Sequence, residues 1–147
     1  MSVTTTEGAR NLMLMALVGG VLPSINLDGG KLFIFADDDG GTPPADASVA
    51  TAATILVTFT GLAWGTASGG LVGKSGAVTA TVANTGTPLF YRITGSADAG
   101  NDIALATEVR SQGVIGTDLI LNNSALTALD SETIDTINLF IPVGFLV

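Results

Sequence analysis

The chain has 147 residues, 5 basic side chains against 13 acidic ones, a formal charge of −8, and neither cysteine nor histidine. Gripping phosphates takes clustered Lys and Arg, whereas Arg10, Lys31, Lys74, Arg92 and Arg110 are scattered, so no nucleic-acid partner is expected. Without Cys or His there are no thiolate nucleophiles, disulfides, Ser-His-Asp relays or haem ligands, and almost no route to a zinc site.

One domain over residues 1–147 is expected, because a chain of this length buries enough surface for a core without staples. Only 12% of residues are charged, about half the usual share of roughly 25%. Apolar surface left after folding is best hidden against a partner, so assembly contacts are expected.

Residues 1–24 read as an N-terminal arm and short helix. Thr4 and Glu7 have capping-box spacing, and Ala9, Leu12, Met13, Ala16 and Leu17 recur on one helical face. Gly19-Gly20 ends the run. Glu7 and Arg10 in the leader, with no small-residue cleavage pattern after it, favour this reading over a secretion signal. The apolar run is also shorter than the roughly 20 residues needed to span a bilayer, so no membrane partner is expected.

From residue 25 onward the texture is β. Lys31-Leu32-Phe33-Ile34-Phe35-Ala36 is an apolar, aromatic-rich strand bracketed by Asp28-Gly29-Gly30 and Asp37-Asp38-Asp39-Gly40-Gly41 turn signals. Residues 42–53, with Pro43-Pro44, read as an exposed loop. Residues 54–60 resume as a strand in which Ile55, Val57 and Phe59 alternate against Thr54, Leu56, Thr58 and Thr60, with the threonines facing solvent. Residues 65–76 read as a glycine-rich turn. The stretches 77–82 and 88–94 read as strands of one hairpin joined through Asn84-Thr85-Gly86-Thr87. Further strands are expected around 107–111, at 118–122, and from Ile134 to Ile141. Seven or eight short strands with regular turns predict a mainly β fold, an antiparallel β-sandwich of jelly-roll-like character.

Motifs for chemistry are weak. The Asp37-Asp38-Asp39 triplet lacks the alternating spacing of an EF-hand and reads as a strand-ending turn. Gly69-Gly70-Leu71-Val72-Gly73-Lys74-Ser75 ends like a phosphate loop, but Ser68 stands where the first glycine belongs and a β alternation follows. Lys74 and Ser75, as strand neighbours, point to opposite faces and cannot share a proton. No catalytic, cofactor or metal site is expected, and no enzyme. Trp64, with Tyr91, offers an aromatic surface to a sugar, a core lid or a contact anchor. Phe145, Leu146 and Val147 form an apolar end that either closes the core or docks on a partner.

The sequence order of Arg10-Asn11, the strand into Gly40-Gly41-Thr42-Pro43, Thr79-Ala80-Thr81, Gly86-Thr87 leading to Phe90-Tyr91-Arg92-Ile93, and Gly116-Thr117-Asp118-Leu119-Ile120-Leu121-Asn122 resembles the small β-sandwich virion proteins of tailed bacteriophages. Capsid cement or decoration proteins are among them. The resemblance implies a structural protein on the outer surface of a phage head, made in the host cytoplasm. Its implied partners are the major capsid protein and further copies of itself as a dimer or trimer. Met1, Ser2, Val3 and Thr4, Trp64, and Phe145, Leu146 and Val147 are the candidate contact residues. A tail- or fibre-associated module and a carbohydrate-binding β-sandwich are the alternatives.

Overall fold

A computed structural model describes Ala16, residues 27–106 and residues 108–140. The expected N-terminal helix lies outside the described residues but for Ala16. Met1, Ser2, Val3, Thr4, Phe145, Leu146 and Val147 lie outside them too. What is described is mainly β, with strands β1 Gly30–Ala36, β2 Ile55–Leu62, β3 Leu71–Gly73, β4 Val78–Thr81, β5 Pro88–Thr94, β6 Arg110–Val114, β7 Ser131–Ile134 and β8 Asn138–Phe140. They form an antiparallel four-stranded sheet in the order β2-β1-β5-β6 and two antiparallel two-stranded ladders, β3-β8 and β4-β7.

β1 is the centre of the sheet and is covered on both faces, which is why its sequence is a nearly unbroken apolar run instead of an alternation. On the inner face, Leu32 sits opposite Ile93 and Ile34 opposite Tyr91. These residues join Val57 and Phe59 of β2 and meet Val72, Val82, Ile134, Ile137 and Leu139 in one buried cluster. The outer face carries Phe33 and Phe35, packed with Phe90 and Ala53 in a second cluster. Phe35 and Phe90 stack with ring centroids 4.6 Å apart, close to the separation at which offset aromatic pairs gain energy beyond their buried area.

The later strands pair in a nested series. Val78 of β4 lies opposite Ile134 of β7, Gly86 bridges Leu126, and Phe90 of β5 lies opposite Val114 of β6. With β3-β8 outermost, residues 71–140 form one long antiparallel ribbon whose tip is the loop between β5 and β6.

This nesting corrects the expected hairpin between residues 77–82 and 88–94. The segment 84–87 does not turn β4 back on β5, because Gly86 donates to and accepts from Leu126 at 2.9 Å in each direction. Both strands therefore keep partners from later in the chain. The expected strand at 118–122 is likewise absent. Leu119 makes only an isolated bridge to Ile115, and a turn held by Asp118 Oδ2 accepting from the Val114 amide replaces it. The glycine-rich segment 65–76 contains β3 as well as turns, and the strand expected from Ile134 onward is divided into β7 and β8.

In β2 the simple alternation also fails, for a local reason. Ile34 pairs with Val57 while Phe35 pairs with Ile55, so Leu56 is an extra residue in a β-bulge. The bulge turns Leu56 inward, fully buried, instead of outward with the threonines. Ile55 then packs with the outer cluster and Val57 with the inner one.

Two glycines show what fixes the sheet's ends. A Cβ at Gly30 would lie 2.2 Å from the backbone oxygen of Thr94, whereas a Cβ at Gly29, with φ of 71°, would meet nothing. Gly30→Ala should therefore destabilise by about 3 kcal/mol or more, as overpacking against a backbone does. Gly29→Ala should cost only about 1–2 kcal/mol, the left-handed backbone penalty; urea denaturation of both variants checks the order. Gly113 lies opposite Tyr91, and the phenol occupies the space its Cβ would need.

Burial, with a smaller contribution from the charge of Asp118, pushes the Tyr91 hydroxyl from 10.0 up to about 12. The folded chain thus keeps a proton that the unfolded chain releases, so this contribution is intact below pH 10 and is lost as pH rises towards 12. Tyr91 is the only tyrosine. Phenolate absorbance should therefore titrate late in the folded protein, and Tyr91→Phe should flatten the alkaline loss of stability over that window.

Candidate functional site

The outer face of the four-stranded sheet holds the main cluster of buried charge among the described residues. Three cross-strand rows run over it: Phe35, Phe90 and Val114; Phe33, Arg92 and Gln112; and Lys31, Thr94 and Arg110. Arg92 is 0% exposed. A buried guanidinium must recover its lost hydration from acceptors. Its Nε donates to Gln112 Oε1 at 2.8 Å, Nη1 to the Gly100 carbonyl at 2.8 Å and Nη2 to the Val49 carbonyl at 2.7 Å. The guanidinium carbon also lies 5.7 Å from the ring centroids of both Phe35 and Phe90, within cation–π range. Burial, reinforced by the charge of Arg110, lowers its pKa, while Asp98, Asp46 and Asp102 oppose the shift.

Arg110 anchors the ribbon tip. Its Nε and Nη2 donate to the two oxygens of Asp98 at 2.7 Å each, a bidentate fork between side chains 1% and 0% exposed. Nη2 also reaches Asp102 Oδ1 at 2.6 Å, and Nη1 donates to the Asp102 carbonyl at 2.7 Å. Burial pulls the Arg110 pKa down, but the bonds to Asp98 and Asp102 outweigh it and leave a net rise. Gly100 completes the tip by donating its amide to Asp98 Oδ1 at 2.7 Å. A Cβ there would lie 2.6 Å from the Phe33 ring, so only glycine lets the loop lie flat on the sheet.

The second loop, residues 37–54, is fastened from its own ends. Asp38 Oδ1 accepts from the Thr54 amide at 2.9 Å, and Asp39 Oδ2 from the Ala52 amide at 3.0 Å. The hydrogen bonds from Thr54 hold the Asp38 carboxyl below its usual range. These two carboxylates therefore close a loop. Among the described residues, no group of three or more acidic side chains is placed to hold a metal ion. The same loop supplies the Pro44 carbonyl to Gln112 Nε2 at 2.9 Å, and the Ala104 amide donates to the Ser48 carbonyl at 2.9 Å, which binds the two loops together.

Where the loops meet, a cavity of about 300 Å³ is lined by Asp46, Ala47, Ser48, Ala104, Glu108 and Arg110. The Ser48 hydroxyl and amide hold the Asp46 carboxyl below its usual range. The Leu105 amide donates to Glu108 Oε2 at 2.7 Å. Arg110, the Ser48 hydroxyl and backbone amides engage these carboxylates, which fixes the geometry of the two loops.

Trp64 stands elsewhere, beside β3. It is half-buried against the inner cluster, and its indole N–H donates to the Leu27 carbonyl at 2.8 Å, which makes it a lid on the core. Lys74 is buried, its pKa lowered by desolvation with the charge of Asp135 opposing, and its ammonium donates to the Gly76 carbonyl. Tyr91 faces the inner core, so it forms no shared aromatic surface with Trp64. The arginine cluster escaped sequence reasoning. Its signal is a lone cation inside the apolar strand Phe90-Tyr91-Arg92-Ile93, followed by Asp98 and Asp102 and the alternating Arg110 and Gln112. Comparisons with protein-family models, curated proteins and solved structures return no match.

Removing Arg110 would leave Asp98 buried without its counter-charge. Arg110→Met should cost about 3–5 kcal/mol, the range for breaking a buried pair. Adding Asp98→Asn, which keeps an acceptor for the Gly100 amide, should restore part of that loss in chemical denaturation.

Proposed function

We propose that the chain is a structural virion protein of the decoration type, without enzymatic activity. In this reading it binds in many copies to the outer surface of a tailed-phage head and stabilises contacts between major capsid subunits. The fold we propose is a jelly-roll-like β-sandwich, with the four-stranded sheet facing the two ladders across the inner cluster. Nested pairing of β3 with β8, β4 with β7 and β5 with β6 supports it, because a long antiparallel ribbon wound over itself generates that architecture.

One observation carries the functional reading. Two buried arginines fix long loops over one sheet face, and those loops hold Val49, Ile103 and Leu105 in water. Rigid display of apolar side chains lowers the entropy lost on docking. Many such weak contacts repeated over a lattice sum to firm attachment. A fixed recognition surface suits an assembly protein better than a catalyst, which needs groups aimed at a substrate.

Mixing the purified chain with undecorated tailed-phage heads and sedimenting them is the test. Saturable co-sedimentation, with label over the shell in electron microscopy, is the expected result. Absence of binding, or label confined to the tail, would overturn the reading.

A further inference from the structure

The charge distribution over the fold is one-sided. All four cations among the described residues turn inward: Lys31 Nζ donates to the Asp98 carbonyl at 3.3 Å, Lys74 to the Gly76 carbonyl, and Arg92 and Arg110 to the acceptors above. The carboxylates of the 37–39 triplet, Asp102, Asp118 and Asp135 stay at exposed positions. The described surface is therefore predominantly anionic, with Lys31 half-buried and the other three cations engaged within the fold.

The loop platform adds an apolar centre to that field. Ile103 is 72% exposed and Leu105 65% exposed, on either side of Ala104, whose amide ties the ribbon tip to Ser48. Beside them the cavity is lined by Asp46 and Glu108, and Asp102, bonded to the Arg110 of that lining, is 63% exposed. Around Arg92 and Arg110 stand four carboxylates, Asp46, Asp98, Asp102 and Glu108, so the recess keeps a negative excess.

We propose that this platform docks a protein surface in which Lys or Arg side chains flank apolar ones. The apolar groups pack on Ile103 and Leu105, and a cation enters the recess beside Asp46 and Glu108. This inference rests on the reading of the chain as an assembly protein and names the chemistry of its partner. A second copy is the poorer occupant, because its described surface offers carboxylates to carboxylates, and like charges across an interface suppress association.

The probe is an acetylated peptide alternating Lys and Leu, titrated into the isotope-labelled chain, with a Glu and Leu peptide as its counterpart. Amide shifts should be confined to residues 46–49, 102–106 and 108–110, and the acidic peptide should produce none. The double variant Ile103→Ser, Leu105→Ser should keep its melting temperature and bind the basic peptide about fivefold more weakly or worse, the loss expected for a truncated apolar anchor. Shifts spread over the 37–39 triplet, Asp118 and Asp135, or an unchanged affinity in the double variant, would overturn the proposal. So would concentration-dependent self-association that the double variant abolishes, which would assign the platform to a second copy.

The same variant on undecorated heads separates the two readings. Retention equal to that of the unmodified chain would remove the platform and leave decoration standing. A chain that ignores heads but passes the peptide mapping would keep the platform and remove decoration.

Discussion

A guanidinium taken out of water has to regain its lost hydration from acceptors in fixed positions, and Arg92 meets that demand by holding two loops to the sheet and bonding a neighbour within it. Gly100 comes from the ribbon tip, Val49 from the long loop after β1, and Gln112 from the neighbouring strand. Leaving the charge unsatisfied would cost several kcal/mol, so the loops are ordered by the requirement of the arginine as much as by their own contacts. Arg110 repeats the device one row along, with Asp98 as a direct counter-charge.

The other constraint is that the four-stranded sheet is covered twice. An antiparallel sheet often leaves one face to solvent, but here the outer face carries Phe33, Phe35 and Phe90 and needs a lid. A bulge at Leu56 serves both sides. It sends Ile55 to the aromatic cluster while keeping Leu56 and Val57 in the main core. Loops then do the work usually given to helices or a second sheet, and loops have backbone groups that need partners. The arginines, Asp38 and Asp39 provide those partners, which explains why so many of the few charged residues are bound to backbone.

The positions of the central strands β1 and β5 were legible in the sequence because they depend on local composition. Lys31-Leu32-Phe33-Ile34-Phe35-Ala36 and Pro88-Leu89-Phe90-Tyr91-Arg92-Ile93-Thr94 have aromatic and branched residues between turn signals, and both are strands. Partnership was not legible, because it depends on residues far along the chain. Asn84-Thr85-Gly86-Thr87 has the composition of a hairpin turn, yet Gly86 is held by Leu126. The bulge at Leu56 was hidden for the same reason, since alternation within β2 says nothing of the register opposite it. The loop 42–53 was correctly read as irregular from its prolines, but composition does not report what a loop lies on. Arg92 and Arg110 therefore looked scattered when they are neighbours.

The nested ribbon has a consequence in time. β5 and β6 are separated by a loop of modest length, whereas β3 must wait for a partner near residue 140. Closure entropy rises with the length of the intervening chain, so the inner pair forms at the least cost and the outer pairs follow as each shortens the gap for the next. During synthesis β3 has no ladder partner until residues 138–140 have been made. Val72 of β3 is fully buried in the folded chain, opposite Leu139 of β8. Synthesis completes the ladders in that same order, β5-β6 first, then β4-β7, then β3-β8.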